Sequence, residues 1–130
     1  MNDSGILALV VLAQYHQIAV GPDKIRHQFG EAGKAFISTE ILRAAKSLGF
    51  RAKHVSSSAD RLTNQFLPAI GLDKNGNYLI IARVADASGE TPRKVLIQQI
   101  VPSSLHSVTL EELEKIWTGE LILLAPRGGL

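Results

Sequence analysis

The stretch from Ile6 to Ala13 reads ILALVVLA, eight consecutive apolar residues with no polar face at any helical or strand spacing. An amphipathic surface helix keeps one side for water; this segment keeps none, so as a helix it has to lie in the middle of the domain with other elements around it. Asp3 and Ser4, both favoured N-cap types, stand just before the run and predict that Ser4 caps the helix start. Eight residues are far short of the about 20 needed to cross a bilayer, and the preceding residue type is Asp rather than Lys or Arg, so the run reads neither as a membrane span nor as a signal peptide.

Two more helices follow. PDKIRHQF, residues 22–29, has Pro at its first turn and Ile25 and Phe29 on one side, and is closed by Gly30. TEILRAAKSL, residues 39–48, carries Ile41, Leu42, Ala45 and Leu48 as one stripe, with Ser38 or Thr39 as cap and Gly49 as a left-handed stop. From Phe50 the apolar period changes to two. RAKHV, FLPAIGL, NYLIIARV, KVLIQQI and a final ELILLA each read as a short strand. Asn75-Gly76 inside DKNGN marks a hairpin, and ASGETPR makes the next connection, which together predict a meander. Thr109 and Glu112 form a capping box for a last helix, TLEELEKIW. Helices first and antiparallel strands after them make an α+β layout, and a chain of 130 residues is the size of one domain, 1–130.

Several chemistries are excluded. The sequence has no cysteine, which removes disulfides, thiolate metal sites and a cysteine nucleophile. The net charge of +2 is spread over interleaved acids and bases without a basic cluster, so nucleic acid is not an expected partner. His16, His27, His54 and His106 fall in no metal-binding spacing. No phosphate-binding glycine motif is present; the glycines of the terminal APRGGL lack a strand-to-helix context and a lysine. No cofactor is expected in this domain.

Four positions remain of interest. Ser4 sits where a helix terminus would favour a developing anion, but without a neighbouring base in view it reads first as a cap. Tyr78 and Trp117 are amphipathic aromatics that could line a groove, or be half-buried packing. Gln98 and Gln99 interrupt an apolar strand, so one faces solvent or a cleft and the other needs a partner inside.

The stretch DSGILALVVLAQYH resembles the opening helix of the C39 peptidase family, whose motif reads D-C-G-x-A-x-L-x-M-I-x-x-Y-H. LRAAKSLGFRAK, RLTNQFLPAIG, NGNYLIIARV and LEELEKIWTGELILL follow in the family's order and spacing, so the resemblance covers nearly the whole chain. It implies a papain-like α+β domain of the kind found at the amino end of ABC exporters. There a Cys on the first helix, a His on a central strand and an Asp on the next strand cleave leader peptides after Gly-Gly. On this sequence the Cys position falls on Ser4, the His on Tyr78, and the Asp on Gln99 or, with a one-residue shift, on Gln98. The family's oxyanion-hole Gln would fall before Met1.

Those replacements remove the mechanism at each step. Serine needs a base to take its proton, a tyrosine is neutral near pH 7, and glutamine cannot stabilise an imidazolium by charge. LAQYH and FLPA are most similar to the degenerate domains of haemolysin-type exporters in type I secretion. The resemblance therefore implies a non-catalytic docking domain for unfolded RTX-type proteins, with Ser4, Tyr78, Gln99 and Trp117 as the expected substrate-binding positions. It also implies transmembrane and nucleotide-binding domains beyond Leu130, with ATP and Mg belonging there, and a place on the cytoplasmic face of the bacterial inner membrane. Two alternatives stand beside it: a residual peptidase in which Ser4 works with His54 or His106, and a purely structural assembly domain.

Overall fold

Helix α1, Ser4–Tyr15, lies across one face of a six-stranded antiparallel sheet, and no residue from Ile6 to Ala13 is exposed. The computed structural model describes residues 3–126. Helices α2, Pro22–Phe29, and α3, Ser38–Ser47, pack beside α1 on the same face. The strands are β1, Phe50–Ser56; β2, Ala69–Asp73; β3, Tyr78–Ala85; β4, Lys94–Gln99; β5, Ser104–Thr109; and β6, Trp117–Pro126. Helix α4, Leu110–Ile116, connects the last two. The Gly128-Gly129 pair of the terminal APRGGL lies outside the described residues.

The spatial order is β1-β6-β2-β3-β4-β5. The expected meander holds from β2 to β4 and is extended by β5, but the last strand returns to lie between β1 and β2, which no local signal announces. Strand β5 was not expected at all. Its sequence SLHSVT buries only Val108, because it is an edge strand and its side chains meet little of the core. The hairpin at Asn75-Gly76 forms as read: Gly76 takes a φ of +84°, and Asp73 Oδ1 accepts from the amides of Asn75 and Asn77, both at 2.8 Å.

Each sheet face carries its own core. On the helical side Ile70, Ile80 and Ile122 meet Ile6, Leu9 and Leu12 of α1 and Ile41 of α3. On the other side Leu79, Ile81, Ile97 and Leu121 meet Leu113 of α4, with Trp117 and Leu62. A strand covered on both faces has no side to give to water. This explains why the first four residues of β3, YLII, are all buried and read as a continuous apolar run.

Two caps differ in how they are built. Thr109 and Glu112 exchange the expected bonds, Thr109 Oγ1 accepting from the Glu112 amide at 3.1 Å and Glu112 Oε1 from the Thr109 amide at 2.9 Å. At α3 the N-cap is Ile37, not Ser38 or Thr39, and Glu40 Oε1 accepts from the Ile37 amide at 3.0 Å. That leaves the Ser38 hydroxyl for a tertiary contact.

Close approach of α1 to its neighbours depends on Gly5. A Cβ there would lie 2.4 Å from the Phe36 carbonyl oxygen, 3.2 Å from Ile41 Cδ1 and 3.3 Å from Tyr78 Cδ2. Backbone atoms cannot step aside as a flexible side chain can. Gly5→Ala is therefore expected to destabilise the domain by about 2 kcal/mol through overpacking, in spite of alanine's better helix propensity. Urea denaturation checks this; an unchanged or raised midpoint would refute the tight fit.

Candidate functional site

The amino end of α1 points at the first residue of β3. The sequence predicts Ser4 as the helix cap, and the structure corrects this: Asp3 holds the N-cap position, without a side-chain cap bond, and Ser4 is the first helical residue. Asp3 instead pairs with Arg26 of α2 at 2.8 Å. Ser4 is 0% exposed, and its Oγ accepts the backbone N–H of Tyr78 at 2.8 Å. In an environment without water a strand-end amide needs such an acceptor, and a short hydroxyl-bearing side chain turned inward from the first helical turn supplies it.

Tyr78 is buried, 5% exposed, with its ring against Gly5 and its hydroxyl 2.9 Å from Ser38 Oγ. Burial pushes the phenol above its ordinary value of 10.0, against the bond with Ser38, which acts to lower it. The phenol is thus neutral near pH 7. Tyr78 ties β3 to α1 through its amide and to α3 through its hydroxyl, filling the space between the helices and the strand.

The other expected positions do not converge on this point. Gln99 is paired with Leu79, whose side chain is in the core behind the sheet, so Gln99 shares that face; its Oε1 accepts from the Ser104 hydroxyl at 3.0 Å. Gln98 is paired with Ile80 and so lies on the helical face with Tyr78. Period-two alternation therefore favours the one-residue shift: Gln98, not Gln99, is on the side of Ser4. Trp117 begins β6 rather than ending α4, is 4% exposed, belongs to the core behind the sheet, and donates from Nε1 to the Glu120 carbonyl at 2.9 Å. It neither lines a groove nor is half-buried. Ser4, Tyr78 and Trp117, expected to touch substrate, are thus inside the molecule.

The histidines lie elsewhere. His16 follows α1 at the end opposite Ser4 and packs edge-on against Phe50 at 5.3 Å. His27 is on α2, His106 on the edge strand β5, and His54 on β1, where Nε2 meets Glu120 Oε1 at 2.9 Å. Among the described residues no group of three or more His, Cys, Asp or Glu is placed to hold a metal, and no helix is long and apolar enough to cross a membrane. A cleft of about 450 Å³ opens beside the α1 amino end, between Asp3, Ile6, Arg26 and Phe36, but neither Ser4 nor Tyr78 lines it. Sequence reasoning missed Ser38 as the partner of Tyr78, since a Ser before a helix reads as its cap.

Three helices on one face of an antiparallel sheet, with the buried amino end of the first set against the opening residue of a central strand, define a papain-like α+β scaffold. The sequence profile of the peptidase C39 family matches residues 1–128, and the chain belongs to that family. It is 36% identical over 129 residues to the toxin RTX-I translocation ATP-binding protein of Actinobacillus pleuropneumoniae, covering 99% of this chain and 18% of that protein. It is 39% identical over 125 residues to the cyclolysin secretion/processing ATP-binding protein of Bordetella pertussis, covering 95% and 16%. The chain thus spans less than a fifth of the length of these relatives. Among solved structures, the N-terminal peptidase C39-like domain of the toxin secretion ATP-binding protein from Vibrio parahaemolyticus superposes with a TM-score of 0.80 at 20% identity, over 98% of this chain and 99% of that one. A double-glycine motif protease from an AMS/PCAT transporter, in complex with its leader peptide, superposes with a TM-score of 0.79 at 18% identity, over 95% and 84%. Family and fold are those of the C39 peptidases, in a chain without cysteine.

Two measurements test the site as described. Ser4→Ala leaves the Tyr78 amide without that acceptor in a dry place and is expected to cost about 1–3 kcal/mol in urea denaturation; a neutral effect would refute the structural role. For Tyr78 the folded phenol ionises above the unfolded one, so its contribution is fully present below about pH 10 and is lost as pH rises through the folded value. The wild type should therefore lose more stability than Tyr78→Phe when the pH is raised past about 10; parallel curves would contradict it.

Proposed function

We propose that this chain is a non-catalytic docking domain of an ABC exporter in a type I secretion system, and that it holds an unfolded exported polypeptide, an RTX-type protein or toxin, near the entrance of the transporter. The observation that carries this reading is the state of Ser4 and Tyr78. The side chain at the nucleophile position is a buried acceptor for a backbone amide, and the residue facing it is a neutral phenol bonded to Ser38. Acyl transfer needs a nucleophile that can lose a proton to a base, and a buried serine hydroxyl beside a neutral phenol suits that poorly, which supports the non-catalytic reading. The names of the relatives, which speak of toxin translocation and of secretion, support the exporter context.

On this reading the transmembrane and nucleotide-binding parts belong to the same exporter, ATP and Mg act there, and the domain sits at the cytoplasmic face of the inner membrane. A fold that once gripped extended backbone for cleavage suits retention of a chain exported with its signal attached. The experiment is a pair of assays on the 130-residue chain. Titration with an unfolded, calcium-free RTX segment should give saturable NMR shift changes, while incubation with a Gly-Gly leader peptide should give no cleavage. Cleavage abolished by Ser4→Ala would overturn the non-catalytic reading, and absence of any shift change would overturn the docking reading.

A further inference from the structure

The burial of Ser4, Tyr78 and Trp117 raises the question of which surface such a domain would offer. Behind the sheet, away from Ser4, α4 packs on β4, β5 and β6 and lies to one side of β1. Val55, Leu121 and Leu123 there form an apolar floor, and the segment 61–68 rises beside it with Leu62, Phe66 and Leu67. The result is a groove of about 270 Å³. A second groove of about 390 Å³ adjoins it, shares Lys53, Phe66, Leu67 and Leu123, and runs on to Arg51 and His16. Phe66 stands between the two and is 55% exposed, one of few large apolar side chains among the described residues left so open.

Charge separates this trough from the grooves on the helical side. Lys53, Arg61 and Arg51 line it, and among the described residues no carboxylate does. The grooves on the helical side are lined by both signs, and several of those charges are spent on each other, as in Arg26 with Asp3 at 2.8 Å and Lys34 with Glu31 at 2.8 Å. Asp60, next to Arg61, does not line the trough; hydrogen bonds from Ser58 and from its own backbone hold its carboxyl below the usual range. An apolar floor with an exposed aromatic and cations along its length is complementary to a chain that alternates apolar side chains with carboxylates.

We propose that the trough around Phe66 is the docking groove for an extended acidic polypeptide, which seats apolar side chains against Leu121, Leu123 and Phe66 and its carboxylates against Lys53, Arg61 and Arg51. This deepens the reading of the domain as a holder of unfolded cargo, and rests on it for the source of the polypeptide. It moves the contact from the helical side, where the family's peptidase positions are, to the opposite face of the sheet.

The test uses isotopically labelled chain and two kinds of probe: a synthetic peptide of repeating Asp-Leu-Gly units with its Asn-Leu-Gly counterpart, and an unfolded calcium-free RTX segment. The Asp peptide should shift amides at residues 51–57, 61–68 and 121–125, bind at least about tenfold more tightly than the Asn peptide, and weaken with salt. Phe66→Ala and the exposed double change Lys53→Glu with Arg61→Glu should each weaken it by about tenfold or more, with the denaturation midpoint verifying that the variants fold. If the RTX segment binds but shifts other amides and ignores these variants, the groove is wrong and the docking reading stands. If the Asp peptide binds here and the RTX segment does not, the groove is right and its cargo is another acidic chain. Binding of neither overturns both, and concentration-dependent dimerisation abolished by Phe66→Ala would assign the groove to a second copy and overturn the proposal.

Discussion

The helical half of the domain depends on one constraint, that α1 leaves no residue from Ile6 to Ala13 exposed, even Leu7, Val10 and Val11 being partly covered. An element so apolar can be kept only if a sheet lies beneath it and other helices lie against it, and this requirement places α2, α3 and the β2–β3 surface around it. Burial also brings polar groups inside, where each must find a partner. The Ser4 hydroxyl and the Tyr78 amide do so across 74 residues of sequence, and the Tyr78 phenol reaches Ser38 across another 40. Gly5 sets the distance at which these bonds close, since any side chain there would push α1 off the Phe36 carbonyl.

The same positions contribute to how this peptidase-family scaffold packs. In a cleft kept open for a substrate, the nucleophile and its base are held for transfer and contribute little to packing. Here Ser4 and Tyr78, the positions that the family resemblance singles out, make hydrogen bonds within the protein. Tyr78 is larger than a histidine and fills space from β3 up to α3, while the serine at the helix start satisfies the strand below it. These bonds make one interior polar network that joins α1, β3 and α3.

Where sequence reading worked, the governing interaction was local. The Thr109 capping box, the Asn75-Gly76 turn, the closure of α2 before Gly30 and the burial of the Ile6 to Ala13 run are each decided within a few residues. Where it failed, a distant partner decided. Ser4 and Ser38 both read as caps by residue type, yet each hydroxyl is committed to Tyr78. The polar edge strand β5 carries too few apolar residues to show its period, and the insertion of β6 between β1 and β2 is a property of the whole sheet. The candidate site was half legible: resemblance to the family singled out Ser4 and Tyr78, and the structure brings the two together. Motif spacing could not separate Gln98 from Gln99, since a single step along a strand exchanges its two faces.

The bond from the Tyr78 amide to Ser4 also bears on the direction in which such a domain can change. A thiol at position 4 would be bulkier and a poorer acceptor, in a place with no exposure and with a carbonyl 2.4 Å from where the next residue's Cβ would be. Histidine in place of Tyr78 would at the same time give up the link to Ser38. Each of these single changes therefore loosens the fold on its own account. On the docking reading, the hydroxyl of one serine acts as the pawl of a ratchet that holds the domain in its present form.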